Sequence, residues 1–191
     1  MNEGVFDINH AHKLDNPGRI ENLKPRKLLG EVALVAPGDV CVDFGSGTGV
    51  FAIPMAEMCG STGRVFAVDR SPEMLGHIID KKPPKTLVLV HSNVEETGLC
   101  DGISDICLMA FILHEVEAPG KLIAEAVRLL KPGGRLIVVE WKAELDSPGP
   151  PRKVRILQQQ VMSLFDENGL TGARYIDWAQ DYYVVVGSKL G

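Results

Sequence analysis

The sequence lacks an apolar stretch long enough to cross a bilayer. Its longest unbroken apolar run, residues 106–113, spans eight positions, whereas a membrane helix needs about 20. Positive charge is also in short supply. Lys and Arg total 20 against 25 Asp and Glu, for a net charge of −5. That balance argues against a broad basic surface for nucleic acid and leaves small molecules, or a local patch, as ligands. Cysteine is sparse and scattered at 41, 59, 100 and 107, with no C-x-x-C pair, so neither a disulfide framework nor a zinc knuckle is indicated. Most of these thiols are expected to be buried small hydrophobes. The opening MNEGVFDINH carries acids where a signal peptide would carry basic and then apolar residues, and a cytoplasmic location is the expectation. His10 and His12 are two apart and do not share a helical face, which argues against a metal site.

What is present reads as one domain over residues 1–191, with an arm or lid at 1–27 and a core at 28–191. Apolar residues are 45% and charged residues 24%, the balance of a soluble globular chain. Pro25 opens a helix in which Leu28, Leu29, Val32 and Ala33 fall at helical spacing. Then short β-branched runs alternate with helical stretches. The strands are expected at 40–44, 64–69, 86–91, 105–113 and 135–141, and the helices at 50–59, 74–80 and 120–130. Ser71-Pro72-Glu73 has the form of a cap, a first-turn proline and a favourable early acid. The link between the third and fourth runs holds at most a brief helix.

The last quarter differs. A proline-rich loop covers 146–151, and Val154, Leu157, Val161, Leu164 and Phe165 form one helical stripe closed by Asn168-Gly169. Two final runs, 173–179 and 181–186, are too close for a crossover helix and should pair antiparallel. The expected fold class is therefore α/β: a doubly wound, mostly parallel seven-stranded sheet with a C-terminal antiparallel hairpin and helices on both faces.

The informative segment is Val42-Asp43-Phe44-Gly45-Ser46-Gly47-Thr48-Gly49, between the first strand and a helix. A doubly wound sheet binds nucleotide-like ligands at such a turn, where bare backbone allows close approach. The spacing is G-x-G-x-G, and Val50 stands where a dinucleotide fingerprint needs Gly or Ala. Asp69, ending the second strand, can accept both hydroxyls of a ribose; Ser71 is the better helix cap and leaves Asp69 free. Past the third strand, Ser92-Asn93-Val94 offers an amide for an adenine amino group and a backbone N–H for a ring nitrogen. Asn93 reads equally well as a turn residue.

Residues 42–49, 65–75 (VFAVDRSPEML), 109–116 (MAFILHEV) and 129–141 (LLKPGGRLIVVEW) together resemble the successive motifs of class I S-adenosylmethionine-dependent methyltransferases. The resemblance is strongest to the small-molecule branch that includes ubiquinone/menaquinone-type enzymes, and covers 38–141. It implies that Gly45, Gly47 and Gly49 line the methionine and ribose part of S-adenosylmethionine. Asp43 would orient that loop or take the cofactor ammonium through water. Asp69 would hold the ribose with Arg70 beside the adenine, Asn93 and Val94 would grip the adenine edge, and backbone around Ala110 and Phe111 would accept from the methionine amino group. The Asn/Asp-Pro-Pro-aromatic motif of amino-methylating nucleic-acid enzymes is replaced by Ile112-Leu113-His114-Glu115, which favours a small-molecule acceptor.

Candidate bases at strand ends are His114 and Glu140, with Glu115 as a rival or a helix cap. Trp141 reads as an acceptor contact or as core. The basic runs 81–85 and 152–155 read as solvated, and the stretch from His12 to Pro17 with Arg19 as part of a lid. The small pieces outside the core suggest a small acceptor or an open, shallow site. Rival readings are a nicotinamide dehydrogenase, a cofactor-binding module without chemistry, and an aminopropyl transferase.

Overall fold

A computed structural model describes residues 8–145 and 149–191. Residues 1–7 of the expected arm and 146–148 of the expected proline-rich loop lie outside the described residues.

Seven strands form one sheet: β1 (Val40–Phe44), β2 (Arg64–Asp69), β3 (Leu87–His91), β4 (Ser104–Ala110), β5 (Leu130–Trp141), β6 (Leu170–Asp177) and β7 (Tyr182–Lys189). Their order is β3-β2-β1-β4-β5-β7-β6. Neighbours from β3 to β5 are parallel, while β7 runs antiparallel to both β5 and β6. The mostly parallel sheet and the closing hairpin are as expected.

Among the described residues, six α-helices accompany the strands: α1 (Pro17–Leu23), α2 (Pro25–Glu31), α3 (Ala52–Cys59), α4 (Pro72–Asp80), α5 (Pro119–Leu129) and α6 (Gln158–Glu167). Side-chain alternation along the strands feeds two apolar cores. Cys41, Ile106, Leu108 and Val139 pack with Leu28, Met55, Leu75 and Ile78 of α2, α3 and α4 on one face. Val42, Phe44, Cys107, Met109 and Val138 pack with Leu122, Ala126, Val161 and Phe165 of α5 and α6 on the other. Helices therefore change face between β3 and β4, so the strand order reverses at the β1–β4 boundary. The crevice at the carboxyl ends of β1 and β4 is the switch point where such sheets bind ligands.

Several boundaries shift for identifiable reasons. β4 stops at Ala110, three residues early, because Phe111 takes φ +61 and breaks the extended path. The residues after it, Leu113–Glu115, form a 3₁₀ turn. Helix α6 begins only at Gln158, so Val154 and Leu157 of the expected stripe lie outside it. The chain before α6 is held by Arg155, which donates to the carbonyls of Pro150, Lys142 and Leu145. Between β3 and β4 there is no helix, only a turn with an Asn93–Glu96 bridge. Ser71 caps α4 as expected, its hydroxyl accepting from Met74 N–H at 3.1 Å. Cys41 and Cys59 are buried 3.6 Å apart, Cys107 is buried as well, and Cys100 is exposed. Among the described residues, no helix is long and apolar enough to cross a membrane.

Candidate functional site

At the switch point lies a cavity of about 1460 Å³ lined by the glycine loop, Asp69, Arg70, Ser92 to Glu95, Ala110 to Ile112, His114 and residues of the arm. A single drug-sized ligand fills roughly 300–1,000 Å³. The space suits two reactants, one of them the expected small acceptor.

Bare backbone shapes one end. Gly45, Gly47 and Gly49 all have positive φ, at 66°, 51° and 84°, a region costly for other L residues. A Cβ on Gly45 would stand 2.9 Å from Ile112 Cδ1, and one on Gly49 3.0 Å from Ile78 Cγ1. The loop is tied down by Asp69, which ends β2 and is buried. Its Oδ2 accepts from Gly47 N–H at 2.8 Å and its Oδ1 from Ser71 N–H at 2.9 Å. Asp69 is thus not free, as its sequence position suggested; each oxygen keeps one lone pair for a ligand. Ser46 Oγ is buried in the same loop with no hydrogen-bond partner among the described residues.

Asp43, the residue before Phe44 in β1, is buried beneath the loop. Burial raises its pKa to about 8, and the Asp69 charge pushes the same way against a backbone hydrogen bond from Ala52. The carboxyl is therefore mostly protonated near neutrality and steadies the start of α3.

Arg70 and Asn93 are exposed at the cavity rim, and Val94 is buried beside them. Asn93 Oδ1 accepts from Glu95 N–H at 3.1 Å, so the turn role exists, and the amide NH₂ is the end left for other partners. Ala110 and Phe111 sit at the end of β4, where Phe111 N–H donates to Val139 O at 2.8 Å.

The two candidate bases meet. His114 Nδ1 lies 2.8 Å from Glu140 Oε2 and 3.0 Å from Oε1, with side chains only 5% and 1% exposed. Burial lowers the imidazole pKa, but the charge and hydrogen bond of Glu140 outweigh it and the net direction is upward. His114 lines the cavity and Glu140 stands behind it. Glu140 thus reaches the cavity only through His114. Glu115 also lines the cavity, and α5 starts after Ala118 with no side-chain cap.

Three features were missed in the sequence. Phe111, Trp141 and Tyr182 form an aromatic triangle with ring centroids 4.8–5.6 Å apart. Trp141 and Tyr182 are paired across β5 and β7, so only the sheet order could reveal the group. Lys81, read as solvated, donates to both oxygens of Asp15 and to Thr48 O at 2.7–2.8 Å. Thr48 Oγ1 donates to Asp15 as well. Leu14 lies over Gly47, so the arm is fastened onto the glycine loop.

A family model described as a methyltransferase domain matches residues 42–138, from the glycine loop through β5. The chain belongs to the class I S-adenosylmethionine-dependent methyltransferases. Curated relatives of this methyltransferase include ubiquinone/menaquinone C-methyltransferases. It is 33% identical to the ubiquinone/menaquinone biosynthesis C-methyltransferase UbiE of Vibrio vulnificus (strain YJ016), over 59% of this chain and 45% of that protein. It is 28% identical to the demethylmenaquinone methyltransferase of Lysinibacillus sphaericus (strain C3-41), over 77% and 63%. The chain spans about half the length of the curated relatives it matches. The crystal structure of a SAM-dependent methyltransferase from Aquifex aeolicus superposes with a TM-score of 0.90 at 28% identity, covering 97% of this chain and 100% of that one. These findings do not favour a nicotinamide dehydrogenase.

The cofactor of this methyltransferase family is S-adenosylmethionine, and the residues present fit it. Three glycines keep the loop clear of side chains, the unpartnered Ser46 hydroxyl lies within it, and the Asp69 carboxylate retains acceptor capacity.

Proposed function

We propose that this methyltransferase acts on a small, planar, hydroxylated acceptor of the quinol class, methylating a ring carbon after His114 has taken the hydroxyl proton. The observation carrying the reading is the buried His114–Glu140 pair at the cavity wall, beside an aromatic triangle suited to a flat ring. The names of the quinone C-methyltransferase relatives support the same class.

Gly45, Gly47 and Gly49 would receive the methionine and ribose part of the cofactor and Asp69 its sugar. Arg70, Asn93 and Val94 would meet the adenine, and the backbone at Ala110 and Phe111 the amino group, with Asp43 steadying the loop. When bound, S-adenosylmethionine supplies an electrophilic methyl group. Everything else falls to the chain. Glu140 accepts the Nδ1 proton of His114, which leaves Nε2 as the basic nitrogen of a ring in the cavity lining. His114 takes the acceptor's hydroxyl proton, and the electron pair left on oxygen enriches the adjacent ring carbon. Once methylated, that carbon sheds its own hydrogen as a proton while the oxygen regains one, which restores the aromatic ring. Phe111, Trp141 and Tyr182 hold the ring and exclude water. Orientation supplies about 7–11 kcal/mol of such a barrier reduction, and a base adds about 10²–10⁴-fold. Residues 8–27 of the arm would cover the nucleoside end by way of Asp15 and Leu14.

The test is methyl transfer from labelled S-adenosylmethionine to a reduced naphthoquinone, with the product located by mass spectrometry. The expected outcome is a ring C-methyl product, cut at least about 100-fold in His114→Ala with S-adenosylhomocysteine affinity retained. Label on oxygen, or an unaffected rate in His114→Ala, would overturn the reading.

A further inference from the structure

Arg19 is the cation whose surroundings the proposed reading leaves unexplained. It lies on α1 and lines the cavity together with Phe111, His114, Trp141 and Tyr182. Its guanidinium carbon is 5.0 Å from the centre of the Phe111 ring, within cation–π range of the aromatic face. A guanidinium has five N–H donors. Among the described residues, the side chain makes one hydrogen bond, from Nη1 to Leu14 O at 2.8 Å, and no ion pair.

The nearby carboxylates are already engaged. Asp15 is held by Lys81 and Thr48, and Asp181 by Asn22 Nδ2 at 2.9 Å. Burial drives the Arg19 pKa down, against the fields of Tyr182 and Asp15. A partly desolvated cation with most donors unused is costly unless something completes it. The hydrogen bond to Leu14 fixes one edge and the Phe111 ring backs the cation, so the remaining donors of the planar group form a held fork. Such a fork matches the two oxygens of a carboxylate.

We propose that Arg19 binds the carboxylate of a reactant seated against Phe111. The inference rests on the reading that the cavity receives S-adenosylmethionine and its acceptor. Two reactants can bring that chemistry: the amino-acid end of the cofactor, whose amino group is assigned to the backbone at Ala110 and Phe111, or an acid substituent on the acceptor ring. In the first case Arg19 ties cofactor binding to the arm. In the second it selects acidic acceptors.

The experiment measures binding by calorimetry for wild type, Arg19→Met and Arg19→Lys. The ligands are S-adenosylhomocysteine, 5′-methylthioadenosine (which lacks the amino-acid end), 1-hydroxy-2-naphthoate and 1-naphthol. If the cofactor supplies the carboxylate, Arg19→Met weakens S-adenosylhomocysteine by about 10–100-fold and leaves methylthioadenosine unchanged. If the acceptor supplies it, the same variant weakens hydroxynaphthoate by that factor, spares naphthol and spares both nucleosides. Arg19→Lys keeps the charge without the fork and falls between wild type and Arg19→Met for the affected ligand. Should Arg19→Met fail to fold, this graded loss in Arg19→Lys carries the test. Equal weakening of all four ligands, or no change in any, overturns the assignment. Wild-type protein that binds neither nucleoside overturns the cofactor reading instead, and the naphthoate–naphthol pair then decides Arg19 alone.

Discussion

Glu140 Oε2 stands 2.8 Å from His114 Nδ1, joining the end of β5 to the 3₁₀ turn that follows β4. Because the carboxylate outweighs burial, His114 titrates above its ordinary value. A base works in its neutral form, so turnover should rise with pH through an apparent pKa above about 6.5. Glu140→Gln removes the charge while keeping an acceptor. Its rising limb should shift to lower pH, and its plateau should fall about 10-fold or more as the base weakens. Identical pH–rate profiles for the two proteins would show that the pair does not set the proton transfer.

Asp43 gives a second titration with the opposite thermodynamic sense to a paired carboxylate. Its folded pKa is raised to about 8 from 3.8, so between those values the folded chain holds a proton that the unfolded chain has lost. Stability from this group is therefore greatest at low pH, declines as pH rises, and levels off above about 8. Asp43→Asn should remove that slope. Thermal unfolding of both proteins from pH 5 to 9 checks it: parallel curves would refute the buried proton.

Gly49 sits at φ +84 with Ile78 and Ile53 about a Cβ contact away. Gly49→Ala adds backbone strain of about 1–2 kcal/mol and a crowded methyl. At about 2–4 °C per kcal/mol for a chain of this size, a drop of several degrees in Tm is expected. Calorimetric unfolding measures it directly, and an unchanged Tm would mean the loop relaxes freely.

Asp69 both braces Gly47 and offers its remaining lone pairs to the cavity. Asp69→Ala should weaken S-adenosylhomocysteine by about 1.5–3 kcal/mol, the scale of a lost charge-assisted hydrogen bond. Methylthioadenosine shares the ribose and should lose a similar amount. An effect confined to S-adenosylhomocysteine would move Asp69 away from the sugar.

Much of the architecture was legible because local signals agreed. The β-branched runs, the Ser71 cap and the short β3–β4 link each point to the same sheet. The end of β4 was not legible, since the left-handed turn at Phe111 comes from packing rather than from a glycine. His114 and Glu140 were visible singly, but their pairing depends on β4 and β5 lying side by side. Lys81 looked solvated beside Lys82 and two prolines. Its partners come from far along the chain: Asp15, brought by the arm folding back, and the Thr48 carbonyl of the glycine loop. Asp69 was placed correctly at a strand end, yet its bond to Gly47 joins two loops that sequence spacing does not connect.

The reversed direction of β7 has a consequence for how the pocket comes into being during synthesis. A nascent chain that has emerged through Trp141 already contains the glycine loop, both site aspartates and the His114–Glu140 pair, yet β5 still shows a bare edge. The third ring, Tyr182, arrives with the strand that sheathes this edge. Completing the aromatic wall and protecting the sheet from sticking to other chains are thus a single late event in the life of the polypeptide.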